Sequence, residues 1–151
     1  MNKLVLCASF FFALFIFTAT TAAAAPSANW QLAYKDNDIS FYFDTNTTKT
    51  VGSSDVLSVE LKTVIPSDIR QTLIARYKSN YDTSKWQKIQ YCIASTIYNQ
   101  KDKSLLIKNQ RFYDASNNLV ATISTEDKLT VTPDSVQNKV YSAIFQWLYE
   151  N

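Results

Sequence analysis

The sequence contains no histidine, and only one of its 151 residues, Gly52, is a glycine. Without histidine, the chain lacks the side chain that most often acts as a general acid or base near neutral pH. A single glycine excludes the glycine-rich loops that bind phosphates. The acidic pairs Asp36/Asp38 and Glu126/Asp127 fall in turn segments, which favours solvated turn residues over acid–base chemistry. We therefore predict no catalytic residues and no cofactor, and because no calcium-loop spacing appears, no metal site either.

Cysteine and net charge are also scarce. Fifteen basic and 13 acidic residues give a formal net charge of +2, which argues against the clustered positive charge of a nucleic-acid interface. The two cysteines are Cys7 and Cys92. If the leader described below is removed, only Cys92 remains, and it can form no internal disulfide. A thiol without a histidine partner would need another activator to become a nucleophile.

The first residues have the features of a signal peptide. Lys3 precedes the apolar run 4–17, and small residues follow it up to the Ala22–Ala24 triplet. We predict a signal peptide over 1–24 with cleavage after Ala24, followed by one domain over 25–151. An uncleaved membrane anchor is the alternative, but the apolar run is shorter than the ~20 residues that span a bilayer. The predictions are export to the periplasm, cell surface or medium, and a processed chain that does not span the membrane.

Alternating apolar and polar residues predict six strands joined by short polar turns. The predicted strands cover 30–34, 39–43, 57–65, 89–98, 105–113 and 119–125. Segment 45–54 is polar and is predicted to be a surface loop, and 126–131 a connection to the last helix. Pro66 ends the third strand and opens a short helix with Ile69, Leu73 and Tyr77 on its apolar stripe. Short turns between successive strands indicate an antiparallel meander.

Residues 132–151 form the longest amphipathic segment. Its apolar residues recur at helical spacing: Val136, Val140, Ala143, Ile144, Trp147 and Leu148, widened by Tyr141, Phe145 and Tyr149. Thr132 is the predicted N-cap, with Pro133 in the first turn. We expect Ile144 and Trp147 to be buried against the sheet. The fold class is therefore α+β: one domain with a six-stranded antiparallel sheet, this helix on one face, and the short helix between strands 3 and 4.

One face of the fourth strand carries the small residues Cys92, Ala94 and Thr96. Small side chains let another element approach closely. We expect this face to lie under the C-terminal helix near Ala143 or Trp147; the alternative is that it faces solvent.

Several short segments, spread over the chain, resemble the surface-adhesin protein E family of Gram-negative exported proteins. The matching positions are Trp30, Tyr42-Phe43-Asp44, Val59, Lys62, Tyr91-Cys92, Phe112-Tyr113-Asp114 and Pro133-Asp134-Ser135. The resemblance implies a curved antiparallel sheet with a C-terminal helix on its concave face. It also implies binding of host matrix and serum proteins.

The sequence departs from the family in three ways. In the family, a cysteine matching Cys92 is often joined by a disulfide to a cysteine near the end of the helix, and this helix contains none. The turn after Asp114 has Asn117-Asn118 where the family favours glycine. The family's named adhesin is a lipoprotein, and Cys7 precedes most of the apolar run here, so no credible lipid site is present.

A basic and aromatic segment is the predicted protein-contact patch. Its residues, within positions 70–88, are Arg70, Arg76, Lys78, Lys85, Trp86 and Lys88. Such a patch suits an acidic protein or matrix macromolecule; an ordinary solvated helix face and loop is the alternative. The sequence thus favours a non-catalytic exported binding protein of the bacterial envelope or surface, acting in adhesion to host or environmental macromolecules. The second interpretation is a periplasmic module that binds a small apolar ligand or an envelope partner between sheet and helix.

Overall fold

A computed structural model describes residues 27–36 and 38–151. The predicted signal peptide and its cleavage site lie outside these residues. The strands are β1 (Trp30–Lys35), β2 (Ser40–Asp44), β3 (Lys49–Val51), β4 (Ser53–Val64), β5 (Ile89–Asn99), β6 (Ser104–Asp114), β7 (Leu119–Ile123) and β8 (Asp127–Thr130). The helices are α1 (Ser67–Tyr77) and α2 (Val136–Glu150), and a 3₁₀ turn covers Trp86–Lys88.

The strands form one antiparallel sheet in the order β1-β2-β4-β5-β6-β7. This path contains the six predicted strands, so the α+β fold class and the meander are confirmed. Two short strands were missed: β3 pairs with β4, and β8 pairs with β6. All three residues of β3 are exposed and three of the four in β8 are exposed, so neither has the alternation that marks a half-buried strand.

The sheet has one covered face and one uncovered face. In β4, Leu57, Val59 and Leu61 are buried, whereas Glu60 and Lys62 on the opposite face are only partly buried. We call the face of Leu57, Val59 and Leu61 the inner face and the other the outer face. Both helices pack on the inner face, where they form two hydrophobic clusters.

Helix α2 begins later than predicted. Its N-cap is Ser135, whose Oγ accepts a hydrogen bond from the Asn138 N–H at 3.2 Å. Thr132 instead begins a turn, since the Ser135 N–H donates to the Thr132 carbonyl at 3.1 Å. Two capping residues compete here, and the turn formed with Pro133 leaves Ser135 in the capping position. The predicted Thr132 cap is therefore wrong by three residues.

Helix α2 packs in the first cluster against residues of β2, β4, β5 and β6, and it also contacts β1. The buried residues of the helix are Val140, Tyr141, Ile144 and Phe145. The predicted burial of Ile144 is confirmed, at 0% exposure. Trp147 is only half-buried; its ring meets Phe43 edge-on at 5.2 Å between centroids. The predicted full burial of Trp147 is therefore wrong, and the ring of Tyr141 is buried instead, stacked on Tyr98 with centroids 4.6 Å apart.

The second cluster lies under α1 and the 3₁₀ turn. Its centre is Trp86, at 1% exposure, with ring centroids 5.6 Å from Phe112 and 5.7 Å from Tyr77. Helix α1 contributes only Tyr77 as a fully buried residue, and its Ile69 remains 40% exposed. Because the apolar stripe of α1 is narrow, the helix packs at the edge of the inner face and leaves space beside it.

Within residues 27–36 and 38–151, no helix is long and apolar enough to cross a membrane.

Candidate functional site

An apolar cleft of about 200 Å³ opens between α1 and α2 on the inner face. Strands β4, β5 and β6 form its floor. Ile69 and Leu73 of α1 form one wall, and Gln137, Val140 and Tyr141 of α2 form the other. The remaining lining residues are Phe41, Leu61, Thr63, Ile65, Cys92, Ala94, Thr96, Leu105, Ile107, Gln110 and Phe112. The cleft thus lies at the seam between the two hydrophobic clusters, and Ile107 packs against both.

The small residues of β5 explain why this space is open. Cys92, Ala94 and Thr96 are all buried, as predicted, at 8%, 7% and 2% exposure. Their predicted location under α2 holds only for Thr96, which contacts Tyr141 and not Ala143 or Trp147. Cys92 and Ala94 belong to the cluster of Trp86, and all three residues line the cleft. Because these side chains are short and the two helices stand apart above them, the floor retains a volume that neither helix fills.

The lining is apolar and uncharged. Among the residues that form the cleft, none is Asp, Glu, Lys or Arg. The Thr96 hydroxyl is already used, since it donates to the Val59 carbonyl at 3.1 Å. Gln110 and the exposed Gln137 supply the side-chain amides, and Gln110 Nε2 donates to Asp127 Oδ2 at 3.2 Å just outside the lining. Such a surface suits a neutral apolar ligand, with a few polar groups to fix its orientation.

Cys92 is a free, buried thiol. Burial raises the pKa of Cys92 to about 12, although a backbone hydrogen bond with Arg111 and the charge of that residue act in the opposite direction. A thiol with so high a pKa carries almost no thiolate at neutral pH and is a poor nucleophile. Burial likewise raises the pKa of Tyr141, opposed in part by a hydrogen bond with Thr96. Both groups are therefore neutral components of the cleft wall.

The structure separates the predicted contact patch into two parts. Arg70 Nη1 donates to the Gln87 carbonyl at 3.1 Å, which places it beside the 3₁₀ turn that ends at Lys88. At the other end of α1, Arg76 pairs with Asp127 at 3.4 Å. Lys78, Lys85 and Lys88 are exposed. Within the described residues only two ion pairs form, and neither includes these three lysines.

Trp86 does not belong to any contact surface. At 1% exposure it is the largest fully buried side chain of the described residues, stacked on Phe112. We predicted an exposed aromatic because Trp86 lies in a polar loop with no periodic pattern around it. The loop folds back as a 3₁₀ turn, and the indole fills the space between α1 and β6. The contact patch is therefore cationic only.

The outer face carries a row of aromatic residues around Lys62. Lys62 Nζ lies 4.3 Å from the centre of the Tyr91 ring and 5.8 Å from that of Trp30. Tyr91 stacks on Tyr113 at 5.1 Å, and its hydroxyl donates to Asn117 Oδ1 at 3.0 Å. Because these rings pack against one another and against Lys62, much of their surface is covered by neighbouring side chains. This row stabilises pairing between strands.

No group of three or more potential ligand residues is placed to hold a metal ion within the part of the chain that the structure describes.

Comparison with family models, curated proteins and solved structures gives matches among the solved structures only. Neither a protein-family model nor a curated protein matches the sequence. Solved structures do match. The fold is similar to that of Haemophilus influenzae protein E. One structure of that protein has a TM-score of 0.53 at 13% identity, covering 84% of this chain and 94% of the other.

Two further structures of Haemophilus influenzae protein E give the same picture. Crystal form II has a TM-score of 0.52 at 16% identity and covers 84% of this chain and 97% of its own. The selenomethionine form has a TM-score of 0.51 at 15% identity and covers 84% and 93%. The fold implied by the sequence resemblance is thus confirmed, and at these identities the likeness concerns the fold.

Proposed function

We propose that this chain is a non-catalytic exported binding protein of the bacterial envelope, and that the cleft between α1 and α2 binds a small apolar ligand. One observation carries the proposal: a space of about 200 Å³ on the inner face is lined almost entirely by apolar side chains. Folded interiors are close-packed, with few voids larger than a water molecule. An apolar space of this size beside the core is therefore a candidate binding site.

The volume limits the size of the ligand. An engineered apolar cavity of ~150 Å³ stays dry and binds benzene, so a cleft one-third larger holds roughly eight non-hydrogen atoms. The exposed Ile69 at one wall and the open space above it let a longer ligand extend into solvent. A chain or ring of this size gains ~0.8 kcal/mol for each methylene that it buries.

The test is to fill the floor of the cleft and measure ligand-induced stabilisation. In wild-type protein, millimolar toluene or indole should raise Tm, because a ligand that binds only the folded state stabilises it by mass action. Ala94→Leu places a larger side chain in the floor and should abolish that rise. Ser95→Leu is the matched control, since Ser95 is the next residue of β5 and points to the outer face. An equal rise in both variants, or none in wild type, would refute the proposal.

A second candidate function is adhesion to an acidic macromolecule through the cationic surface of α1 and the loop after it. The exposed lysines 78, 85 and 88, which form no ion pair among the described residues, support it. The likeness in fold to Haemophilus influenzae protein E also supports it, because the surface-adhesin family suggested by the sequence binds host proteins. Unpaired cations on one surface attract a polyanion in a salt-dependent way.

Neutralising this surface tests adhesion, with immobilised heparin as the polyanionic probe. The test variant changes Arg70, Arg76, Lys78 and Lys85 to Gln. The control variant changes four exposed lysines elsewhere: Lys35, Lys49, Lys101 and Lys139. Both lose four positive charges, so only a localised site makes the test variant elute at lower salt. Equal elution of the two variants would leave net charge as the sole cause and exclude the patch.

Export is part of both candidate functions and has its own measurement. Mass spectrometry of the protein isolated from its cells should give an N-terminus at Ala25. An intact Met1 on a membrane-bound chain would contradict the predicted cleavage. Protease treatment of intact cells then separates the two functions, because an adhesin must be cut from outside and a periplasmic module must not.

A further inference from the structure

We infer that the ligand of the cleft is an alkyl chain with an uncharged polar end, such as an alcohol, ester or amide, and not a free carboxylate. The inference rests on the proposed function of the cleft and specifies its ligand. It follows from the charges of the lining, of the two walls and of the polar residues at the mouth.

The floor cannot hold a charged group. Its polar side chains are hydroxyls of Thr63 and Thr96, and the Thr96 hydroxyl is already bonded to the Val59 carbonyl. Cys92 remains a neutral thiol there and offers no positive charge. An ionised carboxylate moved into such surroundings loses its hydration without gaining a partner, which is far more costly than burying methylene groups. The apolar end of the ligand must therefore occupy the floor, and its polar end must lie at the mouth.

The two helices that form the walls carry three cations, and none of them lines the cleft. Arg70 donates to the Gln87 carbonyl at 3.1 Å. Arg76 pairs with Asp127 at 3.4 Å and lies 5.2 Å from the Tyr77 ring centre. Lys139 Nζ lies 5.7 Å from the centre of the Tyr34 ring. Arg76 is thus neutralised by a carboxylate, whereas Arg70 keeps its charge and its Nε has no hydrogen-bond partner among the described residues. The contacts with Gln87 and Tyr34 hold the Arg70 and Lys139 side chains outside the lining of the cleft.

The polar groups at the mouth are amides, which suit an uncharged partner. Gln137 is exposed on α2, and Gln110 reaches the cleft from β6. Gln110 also donates to the carboxylate of Asp127 at 3.2 Å, and Asp127 is in turn paired with Arg76 at 3.4 Å. These two charges offset each other, so this pair offers no free cation to a ligand carboxylate. A hydroxyl, ester or amide would instead exchange hydrogen bonds with the two glutamines at no electrostatic cost.

The experiment compares 1-hexanol with hexanoate by NMR on isotope-labelled isoleucine methyl groups at neutral pH. These two probes share one alkyl chain and differ in the charge of the head. Ile69 and Ile107 line the cleft, whereas Ile93 lies on the outer face beside Arg111 and serves as the control. We expect 1-hexanol to shift the methyl signals of Ile69 and Ile107 but not of Ile93, and to bind at least tenfold more tightly than hexanoate.

The outcomes separate the inference from the proposed function. If hexanoate shifts the cleft methyl groups with an affinity equal to or higher than that of 1-hexanol, the uncharged head is wrong but the apolar cleft stands. If neither probe shifts Ile69 or Ile107, the proposed function fails and the inference fails with it. Arg76→Gln sharpens the first case, because hexanoate binding that disappears in this variant identifies the Arg76 guanidinium as the counter-ion of the carboxylate.

Discussion

Truncating Ile144 is the most direct test of how α2 is held to the sheet. The side chain is 0% exposed and lies in the cluster that contains Tyr98, Tyr141 and Phe145. Cys92 is free and α2 contains no cysteine, so no disulfide ties this helix to the sheet among the described residues. Only non-covalent burial holds α2 to the sheet. A cavity beneath the helix should therefore lower the free energy of unfolding strongly.

The magnitude follows from the cavity. Replacing a buried isoleucine by alanine costs ~2–5 kcal/mol, from lost transfer free energy and the space left behind. A domain of this size has a free energy of unfolding of ~5–15 kcal/mol. With a urea slope of ~1.5–2 kcal/mol/M, a loss of ~3 kcal/mol lowers the urea midpoint by ~1.5–2 M. Ile144→Ala should thus remove a large share of the stability while the slope stays unchanged.

Two variants on the same helix calibrate the measurement, which is urea unfolding followed by far-UV circular dichroism. Gln146 is exposed, and its amide contacts only Glu150 at 2.9 Å, so Gln146→Ala should change stability by no more than ~0.5 kcal/mol. Trp147→Ala should fall between the two, because that ring is half-buried against Phe43. Equal midpoints for Ile144→Ala and Gln146→Ala would refute the packing of α2 described above.

Three further predictions concern single side chains. The Tyr98 hydroxyl is buried without a hydrogen-bond partner among the described residues, so Tyr98→Phe should leave the urea midpoint unchanged or raise stability by ~1 kcal/mol; a loss above that would show that the hydroxyl has a partner. Cys92 ionises near pH 9.0 in the unfolded chain but near 12 in the fold, so the unfolded state holds fewer protons and stability should fall as pH rises from 9 toward 12. Cys92→Ala should reduce that alkaline loss, and an unchanged pH dependence of the urea midpoint would contradict it. Asn117 has φ 63°, so Asn117→Val should be less stable than Asn117→Gly by ~1–2 kcal/mol, since both variants lose the hydrogen bond from Tyr91 and only valine strains the backbone; equal midpoints would show that the turn tolerates a branched side chain.

The sequence predicted well wherever burial repeats with a regular period. Alternation in β4 and β5 identified both strands, and the helical spacing in α2 identified the helix and the burial of Ile144. The turn after Asp114 was also predicted correctly, since Asn117 adopts the left-handed conformation that asparagine tolerates. The strand alternation, the helical spacing and the turn all depend on residues that are close in sequence, so the sequence alone is enough to predict them.

Edge strands and helix starts were predicted less well, for local reasons. The strand β3 is exposed along its whole length, so its residues carry no burial pattern, and only pairing with β4 reveals it. At the start of α2, Thr132 and Ser135 both have the chemistry of an N-cap. The turn around Pro133 decided between them.

The sequence by itself determined the fold class, the order of the main strands and the lack of histidine chemistry, because composition and short-range period specify them. Only the tertiary structure decided that Trp86 is a core residue and that the small residues of β5 form the floor of a cleft. The face of Cys92, Ala94 and Thr96 was predicted to be buried, but the residues around it in the sequence do not specify which element packs on it. That depends on where α1 and α2 come to rest, and their separation is set by contacts between residues far apart in the chain, chiefly those of Trp86 with Phe112 and of Tyr141 with Tyr98.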